Sequence, residues 1–414
     1  QSVLDRLAPS PTARLEKAPT EREKDFIRGV EVLFGTGDKT ARDLAYHDAM
    51  KKMYEKYPGD LEVASFYALS ILGLTNGRRN FRNYMRAASV AEEVFAKNPQ
   101  HPGAVHYLIH SYDDPIHAPL GLRAASVFAK TAPASSHAQH MISHIYVALG
   151  LWNQATFANE NAWAVSNARV ERKGLDAGQL DFHSFFWLHY SYLQQGQYKK
   201  AHQMLKIIEE VIQQKDTGRL GSNYSRMRSQ QVIESRDWGI ELPPSQKTFH
   251  DYFADALIAI NSGGMDHARE MLSKLAPDNK ATEIMKKQVR ALILHKEGRS
   301  DRAIELLGEA ATMEDEMDLS YGPPLPSKPT HEMMGEVLLD LDRVQEALEE
   351  FEKSLDRAPR RTLSVLGLAQ AALRAGNSKI GAEALSTLRK NWHQADLDLL
   401  ELDELQRELE QQKR

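Results

Sequence analysis

Apolar residues recur along this chain at helical rather than strand spacing, in amphipathic segments closed by proline or glycine. Pro99 and Pro133 stand 34 residues apart, and each follows such a segment where the second helix of a pair should stop. Ala87, Gly121 and Ala155 recur at the same interval of 34. A small residue is wanted there because the two helices of a hairpin approach closely. The turn Gly150-Leu151-Trp152-Asn153-Gln154-Ala155 returns as Gly196-Gln197-Tyr198-Lys199-Lys200-Ala201. Glycine permits the tight turn and the aromatic residue packs over it. The predicted element is therefore a helix hairpin, repeated.

A 34-residue hairpin period is that of the tetratricopeptide repeat (TPR), so the expected fold is all-α, a TPR-type α-solenoid coiled as a right-handed superhelix of hairpins. Copies return at Ala268, Ala303 and Ala347, with residues 343 to 359 reading as a second helix, and a weaker copy at Gly381. The wider step from Ala303 to Ala347 contains Tyr321-Gly322-Pro323-Pro324-Leu325-Pro326, which cannot continue a helix. Between Asp216 and Lys247 the register lapses, with Gly218, Gly221, Gly239, Pro243 and Pro244 around a helix predicted over 222 to 234. The expected organisation is an N-terminal helical cap over 1–60 and an array with a histidine-rich groove over 61–215. An irregular hinge with one helix follows over 216–248, then a second array with a capping helix over 249–414.

Histidine is distributed unevenly against this register. Seven of the 16 fall between residues 101 and 144, where an even spread gives about two. The repeat containing Gly121 begins at Pro102 and the next at Ser136, so His106 and His140 both occupy position five and His110 and His144 position nine. A spacing of four places both imidazoles of each pair on one helix face. Helices packed about 8 to 10 Å apart let side chains from neighbouring hairpins converge on one ion. Imidazole serves copper, zinc and iron well, and a helical His pair at this spacing is a chelating element of zinc peptidases.

Composition narrows the chemistry further. Cysteine is absent, so any metal is bound by nitrogen and oxygen alone. A net charge of −5, from 52 basic and 57 acidic residues, offers no field for a phosphate backbone, and nucleic acid is not an expected partner. No run of about 18 apolar residues occurs, so no membrane span is expected. The chain opens at Gln1 without an initiator methionine, which suits a periplasmic or secreted protein, with the cytoplasm as the alternative. Gly-rich phosphate loops, nucleophile elbows and the HExxH zinc signature are missing, and no named enzyme class is supported by a motif.

The block from His101 to Pro115, HPGAVHYLIHSYDDP, and the block from His137 to His144, HAQHMISH, resemble a group of bacterial TPR proteins. The resemblance implies that first-helix positions two, five, nine, twelve and thirteen line the groove, which adds His137, His183, Asp113 and Asp114 to the two pairs. The expected metal ligands are thus His106, His110, His137, His140, His144, His183 and Asp114. Asp113 is expected behind them, orienting a ligand.

Glu62, as ligand or general base, Arg82, as substrate anchor, and Tyr107, supporting the ligands or binding substrate, complete the expected site. Arg82 is chosen from a stripe of Arg78, Arg82 and Arg86 along 76 to 86. Glu332 and Glu336 form a further carboxylate pair on the groove side. His101 and His117, beside prolines, read as loop residues or as groups supporting the ligands. Two functions follow: a transition-metal solenoid, extending to a metal-dependent enzyme of undefined reaction acting on a small molecule, or an interaction module holding a peptide on neutral or pH-responsive histidines. Metal identity, substrate and oligomeric state are left open.

Overall fold

The computed structural model describes residues 2–75, 78–214, 218–242, 247–396 and 400–412. Asn76, Asp216, Pro243 and Pro244, named above, lie outside the described residues. Among the described residues the chain is all-α, with 22 α-helices, one 3-10 turn and no strand. The helices form consecutive antiparallel hairpins with the tetratricopeptide spacing. Two compact units divide at residues 133 and 134, so the boundary falls within the span read as the first array. No described helix is long and apolar enough to cross a membrane.

In the first unit the hairpins Leu61–Gly73 with Phe81–Lys97, and Pro102–Tyr112 with Ala118–Thr131, follow four cap helices. Ala87 and Gly121 are buried where their hairpins close. Pro99 and Pro133 each lie two residues past a helix end, as expected. The arginine stripe is corrected here: Arg78 precedes the helix, which begins at Phe81 behind the N-cap Asn80. Only Arg82 and Arg86 share that helix, and both are exposed.

The second unit opens with Ser136–Ala148 paired to Trp152–Lys173, then Phe182–Gln194 paired to Tyr198–Gln214. Ala155, Ala201, Ala268, Ala303 and Ala347 are fully buried in second helices, which is the close approach the spacing required. The helix expected over 222 to 234 runs from Arg219 to Ser235. The last hairpins pack back onto the first. Trp152 Nε1 donates to the Arg360 carbonyl at 2.9 Å, and Thr362 N donates to Gln194 Oε1 at 2.8 Å. Gly150, at φ +63, has the Pro359 carbonyl 2.1 Å from where a Cβ would stand. Glycine is therefore demanded there by a second backbone as well as by the turn.

A buried ion network seals this closure. Arg361, fully buried, reaches Glu234 at 2.6 Å, Glu332 at 2.7 Å and the Tyr190 hydroxyl at 2.9 Å. Lys328 adds contacts to Glu332 at 3.0 Å and Glu336 at 2.9 Å. Burial opposes both charges on the Glu332–Arg361 pair. The Arg361 and Lys328 cations nevertheless hold the Glu332 carboxyl far below its usual range. Glu332 is thus a buried structural anion, not the groove carboxylate expected from the register, while Glu336 keeps partial exposure at the rim of a cleft.

Candidate metal centre

The segment from 136 to 148 is helical because Ser135 caps it, its hydroxyl accepting from Ala138 N at 3.3 Å. Its i, i+4 spacing sets His140 and His144 one turn apart, with Nε2 atoms 3.1 Å from each other. His183 arrives from the next first helix, Phe182–Gln194, which Asp181 caps. Its ring centroid lies 4.5 Å from that of His140. One nitrogen from each of these three residues lies within 4.8 Å of the others. Neighbouring nitrogens around a tetrahedral zinc at about 2.05 Å stand about 3.3 Å apart, so the His140 and His144 pair is already at coordination spacing.

Asn159 decides which His140 nitrogen faces the cluster. Its Nδ2 donates to the Ala155 carbonyl at 2.9 Å, which turns its Oδ1 toward His140 Nδ1 at 2.7 Å. Oδ1 only accepts, so His140 carries its proton on Nδ1 and presents the Nε2 lone pair to His144 and His183. His144 must then be the donor across the 3.1 Å contact. Burial pushes the His140 pKa well below 6.5, and the neighbouring His144 and His183 add to the push. The His183 pKa is lowered too, chiefly by burial. Neutral imidazoles sharing one pocket are the donor set a late first-row ion needs.

Aromatic rings enclose the cluster. Trp187 lies one turn beyond His183 and stacks on His144 at 4.4 Å, while meeting His140 edge-on at 4.9 Å. Tyr321, from the insertion before Thr330–Asp340, stacks on His144 at 5.8 Å. Gly322 brings this loop against Trp187, whose ring would be 2.4 Å from an added Cβ. The insertion that disturbs the repeat spacing thus becomes one wall of the site.

The other expected ligands are distributed differently. His137 is exposed and stands outside the three-histidine group, although its charge would still disfavour protonation of His140 and His183. His106 and His110 belong to the first unit, where their rings lie 4.9 Å apart and His106 stacks on Tyr107 and Phe128. His110 Nδ1 is 3.4 Å from the Asp113 carboxylate.

Asp114, expected as a ligand, is engaged on both oxygens. One oxygen meets Arg79 and His117, each at 2.9 Å, and the other accepts from Ile116 N and His117 N. Arg79 also pairs with Asp113, so the buried guanidinium is Arg79 and not the exposed Arg82. Glu62 is exposed and pairs with His101 at 3.3 Å rather than with a groove ligand. His101 itself caps the helix Pro102–Tyr112. Arg79, Asn159 and Tyr321 were not singled out in the sequence as site residues. Only Asn159 carried a signal, standing four residues beyond the small residue Ala155 on the paired helix.

No family model matches the chain, and no curated protein matches it. Among solved structures it is similar to human IFIT1 in a dimer with m7Gppp-AAAA, at 14% identity over 93% of this chain and 85% of that one, TM-score 0.40. It is also similar to yeast Tom70, at 11% identity over 95% of each chain, TM-score 0.36. A third is the APC/C hetero-tetramer Cut9-Hcn1, at 11% identity over 99% of this chain and 68% of that one, TM-score 0.35.

Proposed function

We propose that this protein binds one transition-metal ion, copper, zinc or iron, through His140, His144 and His183, and offers it to a small molecule. The observation that carries the reading is the convergence of three imidazole nitrogens within 4.8 Å, one of them held in the ligating tautomer by Asn159. Three protein ligands leave a four-coordinate ion a position for water or substrate, the arrangement of catalytic rather than structural sites. A bound ion would supply Lewis acidity there. The chain's own residues do the rest. Asn159 fixes a proton on His140 Nδ1, Trp187 and Tyr321 stack on His144, and His183 borders an open cleft through which a ligand can arrive.

Elemental analysis of untagged protein, before and after reconstitution, tests the proposal. About one equivalent of a single metal is expected. His140→Ala and His144→Ala should each reduce it to a small fraction while the helical circular dichroism is kept. Less than about a tenth of an equivalent in the reconstituted wild type would end the reading. The histidines would then return to the peptide-binding role, marked by a partner retained in the presence of chelator.

A further inference from the structure

Beside the three histidines lies a cleft of about 450 Å³ whose walls differ in chemistry. One wall is aromatic, with Phe186 and Trp187 of the helix Phe182–Gln194. A second is the insertion loop with Tyr321. The third is the helix Arg219–Ser235, which contributes Asn223 and Arg226. His183 borders the cleft and the histidine cluster at once.

Arg226 is the unusual member. It is half-buried, and its guanidinium lies over the Phe186 ring at 4.7 Å. Among the described residues it takes part in no ion pair with a carboxylate, and burial alone acts on it, lowering its pKa. Arg228, two positions on, shows the ordinary arrangement: it pairs with Asp255 at 2.5 Å and donates to the Leu242 carbonyl at 2.6 Å. Arg219 adds a second cation to the same lining, and no carboxylate lines the cleft among the described residues. A guanidinium drawn out of water without a counter-charge is costly, and a fixed cation in a cleft is a site that an anion completes.

We infer that this cleft binds a flat organic carboxylate, the carboxylate on Arg226 and Asn223 and the apolar body against Phe186, Trp187 and Tyr321. Such a pocket fits the usual pattern of apolar walls with a few placed polar groups, and its volume suits a small molecule. A planar guanidinium stacked on a ring keeps its edge N–H groups available for bidentate pairing with a carboxylate. Asn223 and Arg226 lie three residues apart on one helix face, so both can reach the same carboxylate. That the ligand then lies beside a metal ion rests on the reading above; the binding itself does not.

The test is calorimetry on the untagged full-length chain stripped of metal, with 2-naphthoate as probe. Binding is expected, and the uncharged 2-naphthylmethanol should bind at least about tenfold more weakly. Arg226→Met, which keeps the stem and removes the charge, should weaken 2-naphthoate by a similar factor. No binding at millimolar probe, an alcohol as tight as the acid, or displacement by equimolar inorganic phosphate would each overturn the inference. The acid-against-alcohol comparison uses the wild type, so it decides even if Arg226→Met misfolds. Zinc uptake measured in parallel separates the two readings: naphthoate binding without zinc uptake condemns the metal site and spares the cleft.

Discussion

Asn159 holds a single proton in place, and the consequence is measurable. Asn159→Leu leaves His140 free to adopt either tautomer, so metal affinity should fall about 10- to 100-fold in competition with a chromophoric chelator, with the fold retained. An unchanged affinity would mean that Asn159 does not set the tautomer. His189 makes a different prediction. It is fully buried, and burial pushes its pKa down to about 3. In the unfolded chain it protonates near 6.5, so the unfolded state binds the extra proton and stability falls as pH drops below that value. From pH 7 to pH 5 the loss from this one residue is about 2 kcal/mol. Denaturant titrations should show a smaller drop over that range for His189→Leu by about that amount; an equal drop in both proteins would contradict it. At this scale the sequence was partly readable. The repeat-equivalent histidines were visible as spacing, but which acid or arginine each side chain would meet depends on burial. Asp114 is held by Arg79 rather than by the exposed Arg82, and that choice is made by a turn before Phe81 that helical periodicity does not report.

Hairpins were the most legible elements, because a small residue where the two helices of a hairpin meet answers a local packing demand that sequence records directly. The insertion at 321–326 was legible only as an interruption. Its position against Trp187 is a long-range contact, and no local pattern encodes it. Gly322 has φ +122 and the Trp187 ring 2.4 Å from a would-be Cβ. Gly322→Ala should therefore push the loop off the indole, cost about 1 to 3 kcal/mol in denaturant melts, and speed metal release to a chelator. A midpoint and release rate equal to wild type would show that the loop does not wall the site.

At the scale of the whole molecule, the second unit depends on the closure of its last hairpins onto its first. Arg361 neutralises Glu234 and Glu332 at that seam, with no water-facing atom to soften its loss. Arg361→Met should strand two buried carboxylates and cost about 3 to 5 kcal/mol, and adding Glu332→Gln should recover part of it. Additive losses in that double-mutant cycle would contradict the network. The closure was not readable from the register, which placed Glu332 in the groove. Nor was the division between units, which assigns the two equivalent histidine pairs to different bodies. The claim on which the function rests concerns the second body alone and is tested most directly by anomalous diffraction, at the metal's absorption edge, from crystals of reconstituted protein. A single strong peak in contact with His140 Nε2, His144 and His183 is expected; a peak elsewhere in the molecule, or none at this cluster, would contradict it.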